Sequence, residues 1–238
     1  MKRPSFQNSI RMGGFTLVEL LAVIAIVAIL SALAVPMFAT LKKATDLNVA
    51  TASIVSSLEQ GRAYAMANNT YVFVCFEETN FTTPSDQAQS PGTGRVAVQV
   101  FSSLDATMNL TPSNLAAVSR MQIFNSLDLP SSLASTTGNL STRQTASYIV
   151  GSNSGSTQFP PAASTITTIT SGNFTFSKII AFDSRGELHI PVNPPVEGLQ
   201  YLEIDLQQSN GSTAPTAAKD QSAIQVDGLT GAVTIYRS

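Results

Sequence analysis

Hydrophobic and polar positions divide the chain into three regimes. Phe15-Thr16-Leu17-Val18-Glu19 opens an apolar run that continues from Leu20 through Leu30 and on to Phe38, with no charged residue between Leu20 and Thr40. Wound as a helix, Phe15 to Phe38 measures about 36 Å, enough to cross a hydrocarbon core of roughly 30 Å. The pattern then becomes amphipathic. Leu47, Ala50, Ile54, Leu58 and Ala65 recur at spacings of three, four or seven, with Lys42, Lys43, Asp46, Glu59 and Arg62 left for other faces. The two patterns predict one long helix from about residue 15 to about residue 67, whose second half packs on a domain. Asn68-Asn69 is its expected stop.

Beyond residue 70 the period changes to two. Tyr71–Phe76, Gly94–Phe101, Phe174–Phe182, Gln200–Leu206 and Ala223–Arg237 are β-branched and aromatic runs, each predicting strand. Asp183-Ser184-Arg185-Gly186 separates two such pieces as a hairpin turn, and Asp227-Gly228-Leu229-Thr230-Gly231 separates another pair. A long helix followed by strands predicts an α+β fold, an antiparallel sheet laid on the helix. Residues 103–172 are rich in Ser, Thr, Asn and Pro. Two readings fit them: a variable, solvent-facing insertion, which is the expectation adopted, or extra strands facing a neighbour.

Composition sharpens this picture. Of 238 residues, 43% are apolar and only 12% charged, against a soluble average of roughly 25% charged. That deficit points to a membrane or an assembly. Lys2, Arg3 and Arg11 precede the apolar run, so removing residues 1–14 takes the formal net charge from -2 to -5. An acidic product is a poor general binder of nucleic acid, whose affinity rests on cations supplied to phosphates. The lone Cys75 excludes an internal disulfide; it reads as a small buried strand residue or as an intermolecular thiol.

On residues alone, the N-terminus admits three readings. It is a secretory signal peptide with a small-residue site at Ala32-Leu33-Ala34, a plain single-pass anchor, or a leader cut just before the apolar run. Glu19 discriminates among them, because a carboxylate costs about 2.5–3.5 kcal/mol at the centre of a membrane helix and needs a reason to be there. Pro36 lacks a backbone donor and its ring crowds the carbonyl of Ala32. It kinks the helix at a cost of roughly 3 kcal/mol, or else ends it.

Gly14-Phe15-Thr16-Leu17-Val18-Glu19 followed by an unbroken apolar helix resembles the prepilin signal of type IV pilins and type II secretion pseudopilins. The resemblance implies cleavage between Gly14 and Phe15 by a prepilin peptidase and N-methylation of Phe15 by its methyltransferase activity. It also implies assembly through Glu19 and a helix kink at Pro36. Physically, Glu19 offsets the Phe15 amine and the positive end of the helix dipole, or meets the amine of a neighbouring subunit as a register device. The implied organisation is a leader at 1–14, a transmembrane and assembly half of the helix at 15–39, its amphipathic half at 40–69, and a β-rich head at 70–238. Expected partners are other pilin or pseudopilin subunits and an inner-membrane assembly platform. The chain is expected in the bacterial inner membrane, N-terminus cytoplasmic and head periplasmic, before it enters a filament.

A second resemblance covers the helix-to-sheet passage. Ser57 to Asn69 leading into a strand, the Ala181-Phe182-Asp183-Ser184-Arg185-Gly186 turn and the closing Gly231-Ala232-Val233-Thr234-Ile235 strand are similar to GspH/FimT-like minor pilins and pseudopilins. DNA-binding members carry a basic tail, whereas this chain ends Tyr236-Arg237-Ser238, so DNA is not an expected partner. The expectation is a minor structural subunit. The alternatives are a filament-tip adhesin, with residues 103–172 as its contact, and a conventionally secreted protein.

No catalytic constellation emerges. His189 is the lone histidine and sits in an alternating strand, where a structural role is the ordinary one. One His and one Cys do not make a zinc site of the usual kinds. Gly151-Ser152-Asn153-Ser154-Gly155 places Asn where a nucleophile would stand, and Gly92-Thr93-Gly94 lacks the rest of a phosphate loop. Glu77 and Glu78 point to opposite faces of a strand and so do not form an acid/base pair. No enzyme activity, cofactor or metal is expected.

Overall fold

A computed structural model describes residues 16–133, 138–152, 156–161, 167–215 and 220–238; the side chains of residues 32–44 are outside the description. The chain divides into two compact units, Met1–Lys42 and Lys43–Ser238. Helix α1 runs Leu17–Asn68. Its span includes Pro36, which sets aside the alternative that this proline ends the helix.

In the second unit, the helix presents the stripe that its sequence spacing predicts. Leu47, Ala50, Ile54, Leu58 and Ala65 are all buried against the sheet. Thr51 and Ser57 share that buried face. Their hydroxyls donate to the carbonyls of Leu47 and Ser53 one turn back, at 2.8 and 3.0 Å, so neither polar group is left without a partner. Gly61 lets the helix approach closely, because a Cβ there would lie 3.0 Å from Val74 Cγ2. The helix stops as expected. Asn69 adopts φ +50° and the Thr70 N–H donates to the Ala65 carbonyl at 3.2 Å, a left-handed cap that asparagine tolerates.

The sheet is built from β1 (Val72–Asn80), β2 (Gly94–Ser103), β3 (Leu115–Ala117), β4 (Gln122–Asp128), β5 (Tyr148–Ile149), β8 (Lys178–Phe182), β9 (Leu188–His189), β10 (Tyr201–Gln208), β11 (Gln221–Asp227) and β12 (Val233–Arg237). Its order is β12-β11-β10-β4-β2-β1-β8-β9, with β3 paired to β2 and β5 to β10. The main-path pairings are antiparallel. The α+β class read from periodicity is therefore the observed one. Both expected hairpins form, with Phe182 opposite Leu188 and Ile224 opposite Ile235.

Pleating sorts the side chains. Val74 opposite Val100 and Phe76 opposite Val98 face the helix and join its core. Phe73, Cys75 and Ala97 face the other way, where a second small sheet covers them. That cover is the hairpin of β6 (Ile169–Ser171) and β7 (Phe174–Phe176), which supplies Ile169, Phe174 and Phe176. Cys75 is thus a fully buried strand residue, and burial pushes its thiol well above the usual range.

Two expectations are corrected. Phe174–Phe182 is not one strand: it breaks at Ser177 between the small sheet and the large one. The carboxylate of Glu77 accepts both the Ser177 N–H (2.9 Å) and its hydroxyl (2.8 Å), which holds the chain at the crossing. The stretch 103–172 is also more than a solvent-facing insertion. It supplies β4 between β2 and β10, at the middle of the sheet order.

Candidate assembly site on the N-terminal helix

The helix begins with a reciprocal cap. Glu19 N–H donates to Thr16 Oγ1 at 3.2 Å, while Thr16 N–H and Oγ1–H both reach back to Glu19 Oε2 at 3.4 Å. Thr16-x-x-Glu19 is the capping-box spacing, in which each end of the pair satisfies an otherwise orphaned helix donor. The carboxylate therefore lies folded toward the start of the helix, at the positive end of its dipole. Thr16 stands in the sequence motif with no role of its own, although its spacing from Glu19 is a recognisable N-terminus signal.

Next to this cap the helix is apolar on every side. Leu17, Val18, Leu20, Leu21, Val23, Ile24, Ile26, Val27, Ile29 and Leu30 are all exposed, from 46% at Val23 to 79% at Leu17. Successive residues advance by about 100°, so these positions cover the whole circumference. A helix of that kind is stable only when lipid or other protein surrounds it. Burying these side chains contributes on the order of 10 kcal/mol, which exceeds the cost of one carboxylate held near a helix end.

Among the described residues, no helix is long and apolar enough to cross a membrane. Leu17–Ser31, where side chains are described, amounts to roughly 22 Å, and the expected span continues into residues 32–39. Of the predicted site residues, Gly14 and Phe15 lie outside the described residues. Glu19 is exposed and engaged with Thr16. Pro36 stands within the helical span, about 25 Å further along it.

The head holds several buried polar groups. Glu203 pairs with Arg143 at 3.2 Å and accepts a 2.6 Å bond from Gln225, while neighbouring Asp205 is wholly buried beside it. Burial, and then the Glu203 charge, push Asp205 up to about 9. Burial and the adjacent Asp128 likewise push Glu78 up to about 9. Glu77, on the opposite face, is raised by burial against the lowering effect of Ser177. The two adjacent glutamates thus have different near neighbours, Ser177 for Glu77 and Asp128 for Glu78, while the Lys178 charge bears on both.

Residues 11–35 match the family described as the prokaryotic N-terminal methylation motif. Comparison with curated proteins and with solved structures returns no match. The matched motif supports a processed subunit of the type IV pilin-like kind, a class of structural subunits that assemble with one another. The match takes in Gly14 and Phe15, the Thr16–Glu19 cap and the exposed apolar helix.

Proposed function

We propose that this chain is a minor subunit of a type IV pilus or type II secretion pseudopilus, of the GspH/FimT-like kind. Its prepilin leader is removed between Gly14 and Phe15, and Phe15 is then N-methylated. Residues 15–39 hold it in the inner membrane with the head on the periplasmic side, and Pro36 bends the helix where it leaves the bilayer. An assembly platform then transfers the helix from lipid into a bundle of like helices, where Glu19 meets the Phe15 amine of a neighbour.

The observation that carries this reading is the junction of two features. A helix apolar on every face is left uncovered, and it is opened by a carboxylate cap within a recognised methylation motif. An anchor that remained in lipid would gain only the cap from this side chain, which an uncharged glutamine would also supply; a bundle of processed helices brings a cationic amine to each carboxylate.

Mass spectrometry of the mature N-terminus, from membrane and sheared-filament fractions, tests the reading. The expected product begins at N-methylated Phe15 in both fractions. A chain beginning at Val35 identifies a conventional signal peptide and overturns the proposal, as does absence from filaments in a cell that makes them.

A further inference from the structure

The turn between β8 and β9 gathers three metal-capable side chains that the assembly role does not use. Asp183 follows β8, Glu187 lies across the turn, and His189 stands in β9; one donor atom from each lies within 4.8 Å of the others. Asp183 and His189 are 6% and 5% exposed. The turn itself fixes the aspartate. Its Oδ1 accepts the N–H groups of Arg185 and Glu187 at 2.8 and 2.9 Å, which leaves Oδ2 to face His189 Nε2 at 3.4 Å. A contact of that length is loose for a hydrogen bond, and Nδ1 has no hydrogen-bond partner among the described residues. A buried polar group short of good partners costs about 1–3 kcal/mol, so the imidazole is a buried donor only loosely held by the cluster beside it.

Arg185 now supplies the positive charge. Its Nε lies 3.2 Å from Asp183 Oδ2 and its Nη2 lies 2.7 Å from Glu187 Oε2, yet its side chain is 69% exposed. An exposed ion pair of that kind is held weakly and can swing out. The carboxylates are thus arranged around a cation that is easily exchanged for another.

We propose that Asp183, Glu187 and His189 bind one divalent transition-metal ion, which displaces the Arg185 guanidinium. One imidazole nitrogen with two carboxylate oxygens suits Zn²⁺ or a neighbouring first-row ion; Ca²⁺ and Mg²⁺ prefer shells made wholly of oxygen. Zinc donors stand about 2.0–2.2 Å from the ion, so the present cluster must contract slightly. The Glu187 side chain, 29% exposed, is free to supply that movement. Three protein ligands leave a further position open. The ion would brace the end of the head beside the helix, since the turn lies against Arg62 and Met66.

The test uses the untagged full-length chain in detergent micelles, stripped with a chelator and titrated with Co²⁺ by absorption and with Zn²⁺ by calorimetry. Ca²⁺ and Mg²⁺ are run in parallel. One Co²⁺ or Zn²⁺ per chain is expected. Glu187→Gln should weaken binding at least about tenfold, and Arg185→Ala should tighten it. Both substitutions are at partly or largely exposed side chains, so folding is preserved. Absence of saturable binding, displacement of Zn²⁺ by equal Ca²⁺ or Mg²⁺, or an affinity unmoved by either substitution overturns the proposal. The outcome does not depend on how the N-terminus is processed.

Discussion

In the proposed filament two partners would compete for the Glu19 carboxylate: the Thr16 cap of its own helix and the amine of a neighbouring subunit. Glutamine serves a capping box as well as glutamate does, but carries no charge. Glu19→Gln should therefore keep the helix start and membrane insertion while reducing incorporation into filaments, measured as the filament share of total subunit. Glu19→Ala should lose the cap as well, at about 0.5–2 kcal/mol of helix stability. Wild-type incorporation of the Gln variant would leave only the capping role. A second residue, Asp205, makes the head sensitive to pH. Its folded pKa of about 9 lies above the ordinary carboxyl value near 4. The stability it contributes is present below about pH 4 and is lost as pH rises through about 9. Asp205→Asn should therefore raise the melting midpoint at about pH 9, by about 2–4 °C per kcal/mol recovered, and leave it little changed near pH 4. Glu78 shifts the same way, beside Asp128 and a Lys178 whose own pKa burial lowers. The spacing Thr16-x-x-Glu19 was there to be read in the sequence. The closeness of Asp183 to His189 was not, because it depends on the turn holding one carboxylate oxygen by backbone N–H groups and freeing the other.

At the scale of elements, the second half of the helix was the most legible part of the chain. Leu47, Ala50, Ile54, Leu58 and Ala65 follow from spacing alone and all are buried. Gly61 is different: its need to be small comes from Val74 across the interface, which periodicity cannot reveal. Gly61→Leu should overpack this contact and destabilise the head by about 1–3 kcal/mol, read as a lowered thermal midpoint of the full chain. Asn69→Ala should cost about 1–2 kcal/mol in the same assay, since an alanine pays for the left-handed conformation without asparagine's local hydrogen bonding. Strand boundaries were less legible. The run from Phe174 to Phe182 is uniformly strand-like in composition, and only the distant Glu77 side chain, holding Ser177, divides it between two sheets.

For the whole molecule, the sheet order gives residues 103–172 a structural duty. Gln122–Asp128 alternates weakly, with polar side chains at several positions, because only part of each face is covered. Its place between β2 and β10 is set by long-range pairing, which leaves no local mark in the sequence. Deleting residues 115–128 should therefore abolish cooperative melting of the head; a retained sharp transition would show that the sheet closes without β4. Removal of the entire stretch cannot report on adhesion, since the head would be lost with it. The interior sulfur carries a last consequence. Cys75 is the chain's one thiol, lies at the centre of the β1 strand between two covered faces, and is held in its unreactive protonated form. A maleimide added to the native protein should find nothing to modify until the sheet separates. The rate of labelling is then a clock for global opening, started by the molecule's own chemistry and needing no engineered probe.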